Sequence, residues 1–363
     1  MPESSSLIGA AEERRYSEDA ELDTIQLRES RRTMEFCNNR LFRRLTLPSQ
    51  CPLVYSDNYN ISIFGLERFH PFDSKKWGNV HRYLLESGRL SIDAHVEPLE
   101  PTLDDLRVVH SQAYLRSLRL SFELARILEV ALIAFIPHCF TNARILCPMR
   151  LQTGGTIAAA RLALDHGWAL NIGGGFHHAS ATRGGGFCVY ADITLALKFL
   201  FHAGLIRRAM IVDLDAHQGN GHERDFKGDE NVYIFDMFNA SIYPKDFAAR
   251  EAINRAVPLT SGTTRSEYLC RLKKELELAL EEFPDPNILV YNAGTDCLRG
   301  DPLGQLDLSS GAIIERDEFV FEAAQNRGIS IVMLTSGGYT RHSARVIADS
   351  ILNLNEKKFI RLT

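Results

Sequence analysis

The sequence of 363 residues is poor in the features that mark secreted and membrane proteins. Its seven cysteines are odd in number and include no CxxC pair, which excludes a disulfide framework and a cysteine zinc knuckle and indicates thiols in a reducing compartment. The longest uninterrupted apolar run, Val130 to Ile136, is far shorter than the roughly 20 residues of a membrane span. The first residues are acidic and show no basic region followed by an apolar stretch, so we expect neither a secretory signal nor a transit peptide.

Motifs for nucleotide binding and for serine hydrolysis are also missing. The chain contains no GxGxxG spacing, no GxxxxGK[ST] and no GxSxG. The net charge of −5 argues against direct nucleic-acid binding, which usually needs a basic face, and fits a basic peptide partner slightly better.

The organisation of the chain predicts one α/β domain behind a tail. Residues 1–47 are polar, rich in Arg, Glu and Ser, and lack a sustained apolar period, so we expect a flexible N-terminal tail. No fixed-period repeat or long linker follows, which favours a single domain over residues 48–363. Strands that are apolar throughout and alternate with helical patterns such as 154–167 predict a central, mainly parallel sheet with helices on both faces. The β-rich runs are 52–56, 169–172, 209–215, 232–237, 287–292 and 330–336.

Titratable residues follow four of these predicted strands at their carboxyl ends. Ligands of parallel sheets gather beyond the carboxyl ends of the strands, so we expect these side chains to share one pocket. They are His177 and His178 behind the glycine run 173–175, then Asp213, Asp215 and His217, then Asp296, and finally Tyr339 behind two glycines.

The stretch DLDAHQGNG predicts a metal site. In an extended chain Asp213, Asp215 and His217 could point to one side. Carboxylates side by side in a half-buried site repel each other, and a bound cation removes the repulsion. Two aspartates and a histidine with an open position suit a catalytic divalent metal such as Zn²⁺, and Asp296 is the candidate ligand from another strand. A solvated loop or a calcium-like turn explains the stretch equally well by itself, but the second strand end with an aspartate favours the metal.

The adjacent histidines and Tyr339 are candidates for acid–base chemistry. Two anionic ligands make a metal acidify its water less than three histidines would, so a general base is needed, and the pKa of histidine suits that role. The Tyr339 phenol could donate a hydrogen bond to a developing oxyanion. The alternatives are an incidental histidine pair and a buried core tyrosine. Gly184–Gly186 and Phe187 could line a narrow channel or form a mobile surface loop.

Together these motifs resemble a known family, the zinc-dependent histone deacetylases, and within it the class IV branch. The resemblance covers residues 52 to 355. The matching motifs are HPFDSKKWG (70–78), VVHSQAYL (108–115), RLQTGGTIAAA (150–160), NIGGGFHHA (171–179), RGGGFC (183–188), DLDAHQGNGHERDF (213–226), YNAGTD (291–296), GDPLG (300–304) and TSGGYTRHSARVIADSI (335–351).

The resemblance implies a single-domain arginase/deacetylase fold and assigns the roles of several site residues. Tyr339 looks like the residue that polarises the scissile carbonyl, and His178 like the proton shuttle of a tandem pair with His177. The implied ligands of a catalytic Zn²⁺ are Asp215, His217 and Asp296.

The resemblance also assigns the surroundings of the site. Asp213 is implied to lie behind His177 and, with Asp236, to border a structural K⁺. The implied walls of the acyl channel are Phe187 and Tyr243, with Gly186 between wall and metal.

One position departs from the class I members of the family. Asn220 stands behind His178, where those members carry an aspartate. A neutral partner cannot raise the pKa of the imidazole by its charge, so we expect His178 to act more readily as a base.

The predicted reaction is hydrolysis of N-acyl-lysine, acetyl or longer fatty acyl, on histones or other proteins in the nucleus or the cytoplasm. Corepressor proteins are expected partners.

Two rival functions belong to other classes. A manganese ureohydrolase of the same fold needs a D-x-D motif where this chain reads NAGTD, and a non-catalytic corepressor scaffold needs none of the ligands, histidines and tyrosine.

Overall fold

Seven parallel strands form one sheet in the computed structural model, which describes residues 30, 33–42, 49–62, 65 and 73–362. The sheet order is β1-β2-β7-β6-β3-β4-β5. The strands β1 to β7 are Leu53–Val54, Trp168–Asn171, Ala209–Asp213, Val232–Asp236, Arg255–Ala256, Ile288–Asn292 and Ser330–Leu334.

Helices of the described residues cover both faces of this sheet. In chain order α1 to α12 are Lys76–Glu86, Leu103–Leu106, Gln112–Ser117, Ser121–Leu128, His138–Thr141, Cys147–His166, Asp192–His202, Asn220–Asp225, Phe247–Arg250, Arg265–Glu282, Ser310–Gln325 and Ser343–Glu356. The described residues also form two 3-10 helices, Asp57–Tyr59 and Ala131–Phe135, and a π-helix, Asn142–Leu146, and residues 33–37 are helical as well.

Alternate residues of the central strands enter two separate hydrophobic cores. Met210 and Val212 of β3 belong to the core that α1, α10, α11 and α12 cover. Ala209 and Ile211 belong to the core that α3, α4, α6 and α7 cover. The strand residues are apolar on both faces because both faces are buried, and the predicted parallel sheet with helices on both faces is confirmed.

Helix α6 begins at Cys147, seven residues before the predicted start of its pattern. Gly154 and Gly155 lie within it because neighbouring segments approach its backbone closely. A Cβ atom on Gly154 would lie 1.9 Å from the carbonyl oxygen of Leu99, and one on Gly155 would lie 2.0 Å from the hydroxyl of Tyr59. These glycines permit close packing inside the helix and do not mark its start.

Residues 33–42, which lie within the predicted N-terminal tail of residues 1–47, pack against the domain. Residues 33–37 are helical, and Phe36 packs edge-on against Phe199 of α7 with ring centroids 5.2 Å apart. Leu41 and Phe42 are buried in the same core. Three apolar side chains among many charged ones are enough to attach this short segment, although they produce no sustained period. The rest of the predicted tail (1–29, 31–32 and 43–47) and residues 70–72 of the HPFDSKKWG motif lie outside the described residues.

Among the described helices, none combines the length and the apolar character that crossing a membrane requires.

Candidate active site

Four neighbouring strands deliver the predicted site residues to one end of the sheet. The strands β2, β7, β6 and β3 are adjacent, and all are parallel. The segments that follow their carboxyl ends carry the tandem histidines, Tyr339, Asp296 and the DLDAH stretch, respectively. The convergence expected from the sequence is therefore a property of the topology.

Asp215, His217 and Asp296 form a buried cluster whose ligand atoms all lie within 4.8 Å of one another. His217 Nδ1 is 2.7 Å from Asp296 Oδ2 and 3.2 Å from Asp215 Oδ1. Burial lowers the pKa of His217, but hydrogen bonds to the two carboxylates outweigh it and raise this pKa to about 10. The cluster therefore attracts a cation between its donors. Two carboxylates and an imidazole nitrogen are a donor set that Zn²⁺ accepts, so these residues fit a zinc ion.

Backbone groups hold the carboxylates of this cluster in place. The N–H of Gly337 donates to Asp215 Oδ2 at 3.0 Å, and the N–H of Ala216 donates to Asp296 Oδ1 at 2.8 Å. A Cβ atom on Gly337 would lie 2.3 Å from Asp215 Oδ2, so only glycine fits at this point of the β7 loop.

Asp213 lies outside the cluster, because β3 ends there and the chain turns. Its Oδ1 accepts from the N–H of Asp215 at 3.2 Å and from Asn292 Nδ2 at 2.9 Å. Its Oδ2 accepts from His177 Nδ1 at 2.8 Å and from His222 Nε2 at 2.9 Å. The expectation that all three residues of DLDAH point to one side is therefore wrong, and Asp213 lies behind His177 instead. Both carboxylate oxygens of Asp213 are therefore held by hydrogen bonds.

The tandem histidines lie side by side with ring centroids 4.1 Å apart. Burial lowers the pKa of His177, but Asp213 and Asp215 outweigh it and raise this pKa to about 9. His178 Nδ1 is 2.8 Å from Asn220 Oδ1, which carries no charge. Burial and the neighbouring imidazoles hold the pKa of His178 well below its usual value. The surroundings therefore favour the protonated form of His177 and the neutral form of His178.

The glycine run 173–175 makes the turn that delivers these histidines. Gly174 and Gly175 have φ of +71° and +75°, a left-handed conformation that glycine adopts without strain. The N–H groups of Gly175 and Phe176 donate to the two oxygens of Asp192, each at 2.8 Å. The turn is thus pinned to the first residue of α7.

Aromatic side chains surround the approach to the cluster. The Tyr339 ring lies 5.9 Å from that of Phe187 and 6.3 Å from that of His217. Tyr243 is 45 % exposed and its ring lies edge-on to His178 at 4.9 Å. Burial and then the nearby metal-site carboxylates raise the pKa of Tyr339 well above its usual value, so the phenol keeps its proton. Gly186 lies directly against His178, since a Cβ atom on this glycine would lie 2.4 Å from Cδ2 of the His178 ring.

An apolar pocket of about 900 Å³, counted out to its open mouth, adjoins these residues. One wall comes from the region between α3 and α6, which contains none of the matching motifs, and from the first turn of α6. It includes Leu128, Val130, Ile133, Ile145 and Met149. The N–H of Phe187 donates to the carbonyl of Ile127 at 3.1 Å and ties this wall to the glycine-rich channel loop. The apolar run 130–136 is the sequence signal that could have identified the wall.

Sequence reasoning missed buried and half-buried groups whose partners are distant in the chain. Lys76 Nζ donates to the carbonyl oxygens of Ser336 and Gly337, in the loop that holds Asp215. Burial outweighs the nearby carboxylates and lowers the pKa of Lys76 to about 8. Asp192 and Asp246, which contact the glycine turn and Asn220, were missed for the same reason.

Asp236, predicted to border a K⁺, pairs with Asp213 in the register of β3 and β4. The N–H of Gly219 donates to Asp236 Oδ2 at 2.8 Å. Asp236 Oδ1 and Glu223 Oε1 are buried and have no hydrogen-bond donor within the described part of the chain. Burial, and then the charges of Asp213 and Glu223, raise the pKa of Asp236 well above its usual value. This carboxyl pair therefore needs a shared proton or a cation.

The fold is shared with a solved structure. The crystal structure of the HDA15 HD domain aligns with a TM-score of 0.69 over 86% of this chain and 89% of that chain, at 20% sequence identity. The parallel seven-stranded sheet with its site at the carboxyl ends is the arginase/deacetylase fold.

Sequence comparisons then define the family. A model of the histone deacetylase domain matches residues 70–354. Histone deacetylase 2 of Arabidopsis thaliana is 52% identical over 333 residues, which cover 92% of this chain and 86% of that protein. An uncharacterised protein of Picosynechococcus is 30% identical over 80% of this chain and 93% of its own length. The acetoin utilization protein AcuC of Staphylococcus aureus is 28% identical over 80% of this chain and 77% of that protein. The chain belongs to the histone deacetylase family.

Proposed function

We propose that the protein hydrolyses the amide bond of N-acyl-lysine residues in a zinc-dependent reaction. The observation that carries this proposal is the convergence of a three-residue ligand cluster, a neutral imidazole and a protonated phenol beside an apolar pocket. Each of these groups has a distinct task in amide hydrolysis, and a protein scaffold would need none of them.

The proposed mechanism follows from the proton held by each side chain. A zinc ion bound by the cluster would act as a Lewis acid toward the scissile carbonyl and lower the pKa of water at the site. His178, with Nδ1 held by Asn220, takes the proton of the attacking water through Nε2. Tyr339 donates a hydrogen bond to the carbonyl oxygen as negative charge develops there. His177, protonated beside Asp213, gives a proton to the lysine nitrogen as the C–N bond breaks. The electron pair of the broken C–N bond stays on the nitrogen, and the proton taken up by His178 replaces the one that His177 gives away. The products are a carboxylic acid and a lysine amine, which at neutral pH become a carboxylate and an ammonium group.

The finer assignments belong to the same proposal. We place the chain in the class IV branch because of its motifs. The apolar pocket supports acceptance of fatty acyl chains as well as acetyl. Histone tails or other lysine-bearing proteins are the proposed substrates, corepressor proteins the proposed partners, and the nucleus or the cytoplasm the proposed location. The catalytic domain is proposed to comprise residues 48–363 together with the packed segment 33–42.

We further propose that K⁺ binds beside Asp213 and Asp236. The buried, unpartnered oxygens of Asp236 and Glu223 support a cation there.

The proposal is tested with a panel of acyl-lysine peptides from acetyl to myristoyl, assayed with purified protein before and after chelation. We expect hydrolysis that a chelator abolishes and that zinc restores, with the panel giving the chain-length preference. Recovery with manganese alone, accompanied by turnover of arginine or agmatine, would instead establish the ureohydrolase.

Replacing Tyr339 with phenylalanine separates an enzyme from a scaffold. The substitution keeps the ring and removes one hydrogen-bond donor, so we expect kcat to fall by about 10²- to 10³-fold, as for loss of an oxyanion donor. The melting temperature should stay close to that of the unsubstituted protein. An unchanged rate of acyl-lysine hydrolysis would refute the proposed mechanism.

A further inference from the structure

Asp246 lies outside the ligand cluster and contacts the residue that holds His178. It directly precedes α9, and its Oδ1 accepts the N–H of Ala249 at 3.3 Å as a helix cap. Its Oδ2 accepts from Asn220 Nδ2 at 3.0 Å. On the other side of the same amide, Asn220 Oδ1 is 2.8 Å from His178 Nδ1. Asp246, Asn220 and His178 therefore form a continuous chain of hydrogen bonds.

This chain of hydrogen bonds determines which way the Asn220 amide faces. A primary amide has a donating end and an accepting end, whereas an ionised carboxylate only accepts. With Asp246 on one side, the NH₂ group of Asn220 must face Asp246 and the carbonyl oxygen must face His178. The oxygen then accepts from Nδ1–H, so the proton of a neutral His178 is on Nδ1. The lone pair on Nε2 is left free to accept a proton from water.

Asp246 is itself held in a fixed, ionised state. Arg224 and Arg183 pair with its Oδ2, the latter at 3.5 Å. Its backbone is clamped by Gln218, whose Nε2 donates to the Asp246 carbonyl at 3.0 Å and whose Oε1 accepts its N–H at 3.2 Å. Partial burial alone would raise the pKa of Asp246, but hydrogen bonds from Asn220 and Arg224 lower it below its usual value.

We propose that Asp246 is a positioning residue that fixes the orientation of the Asn220 amide and thereby the tautomer of His178. A carboxylate at position 220 would not need this help, because both of its oxygens accept and either can face Nδ1–H. Asp246 is thus needed because position 220 is an asparagine, whose amide must be oriented. This inference rests on the proposed function, since it concerns the base of that reaction.

The test is a double-mutant cycle between positions 246 and 220. Asp246→Ser keeps an oxygen that can cap α9 but is too short to reach Asn220. We expect kcat for acyl-lysine hydrolysis to fall by roughly 3- to 10-fold, with KM within about twofold, as the amide samples both orientations and part of the base adopts the wrong tautomer. In the Asn220→Asp background the same substitution should lower kcat by less than about twofold, or raise it by removing a repulsion between carboxylates. An equal fold-loss in both backgrounds would mean a merely structural role and would overturn the proposal.

A spectroscopic arm reports on the tautomer without turnover. Long-range ¹H–¹⁵N correlation of histidine-labelled, zinc-loaded protein, with the His178 signals assigned by comparison with His178→Gln, distinguishes the two neutral tautomers. We expect Nδ1–H alone in the unsubstituted protein and a mixture in Asp246→Ser. A single, unchanged tautomer in the variant would overturn the proposal even if the unsubstituted protein showed no deacylase activity, whereas that inactivity would refute the proposed function only.

Discussion

Two adjacent glycines of the channel loop differ in what a methyl group would contact. At Gly186 a Cβ atom would lie 2.4 Å from Cδ2 of the His178 ring, and φ is +51°. Alanine there is strained and must displace the ring of His178, the proposed base, and a displacement of about 1 Å costs on the order of 10²-fold in rate. We expect Gly186→Ala to lower kcat/KM for an acyl-lysine peptide by about this factor.

Gly185→Ala is the matched control for this prediction. Its Cβ atom would approach the hydroxyl of Tyr243 at 3.2 Å, at the end of a half-exposed side chain that can move. We expect its kcat/KM to stay within about threefold of the unsubstituted value. Equal losses in the two variants would show that general damage to the loop, and not contact with the base, limits the rate.

Some residues of the site belong to a sequence motif and could be predicted, whereas others reach the site only through the fold. Asp215 and His217 are two positions apart, so the sequence could predict that they lie together. Asp296 follows a recognisable strand. Lys76 reaches the loop of Ser336 from 260 positions away, so no spacing in the sequence predicts the contact. No motif marks Asp246, because it contacts Asn220 and not the ligand cluster.

At the scale of elements, helix α6 packs so closely against the segment of Leu99 that no side chain fits between them at Gly154. A Cβ atom on Gly154 would lie 1.9 Å from the carbonyl oxygen of Leu99. We therefore expect Gly154→Ala to force backbone movement and lower the free energy of unfolding by about 1–3 kcal/mol, measured by urea titration.

Gly311, in the first turn of α11, is the control because a Cβ atom there would meet nothing within 4 Å. Its replacement by alanine should raise the free energy of unfolding by up to about 1 kcal/mol, because alanine is the better helix former. If Gly154→Ala also stabilised the protein, the close approach of α6 to the Leu99 backbone would be wrong.

The elements that could be predicted from the sequence are those with a regular hydrophobic pattern. Strands β2, β3, β4, β6 and β7 are four or five residues long and apolar on both faces, and each appeared as an uninterrupted run. Strand β5 has only two residues, Arg255–Ala256, neither of them strongly apolar, and left no signal. The pocket wall between α3 and α6 mixes 3-10, α and π turns, which share no common period for a sequence pattern to follow.

For the whole molecule, the site lies where the two hydrophobic cores end, at the carboxyl edge of the sheet. The apolar strand residues separate the two cores, and the polar side chains of the site come from the ends of the strands and the segments that follow them. Buried titratable groups outside the ligand cluster connect the stability of the entire fold to pH.

His110 is the clearest example. Its Nε2 accepts the N–H of Ala191 at 3.1 Å, so the folded protein needs the unprotonated ring. Burial lowers its pKa from 6.5 to about 4. Between these values the unfolded chain binds a proton that the folded chain does not. The contribution of His110 to stability is therefore complete above pH 6.5, declines as the pH falls, and reaches its limit near pH 4.

We expect this group alone to account for roughly 2 kcal/mol of the stability lost between pH 7 and pH 5. His110→Gln retains an oxygen that can accept the Ala191 N–H but cannot titrate. Urea unfolding at both pH values should show the variant losing less stability than the unsubstituted protein by about that amount, because every carboxylate and every other histidine is common to the two chains. Equal losses would place a protonated imidazole at position 110 in the folded state and contradict the hydrogen bond to Ala191.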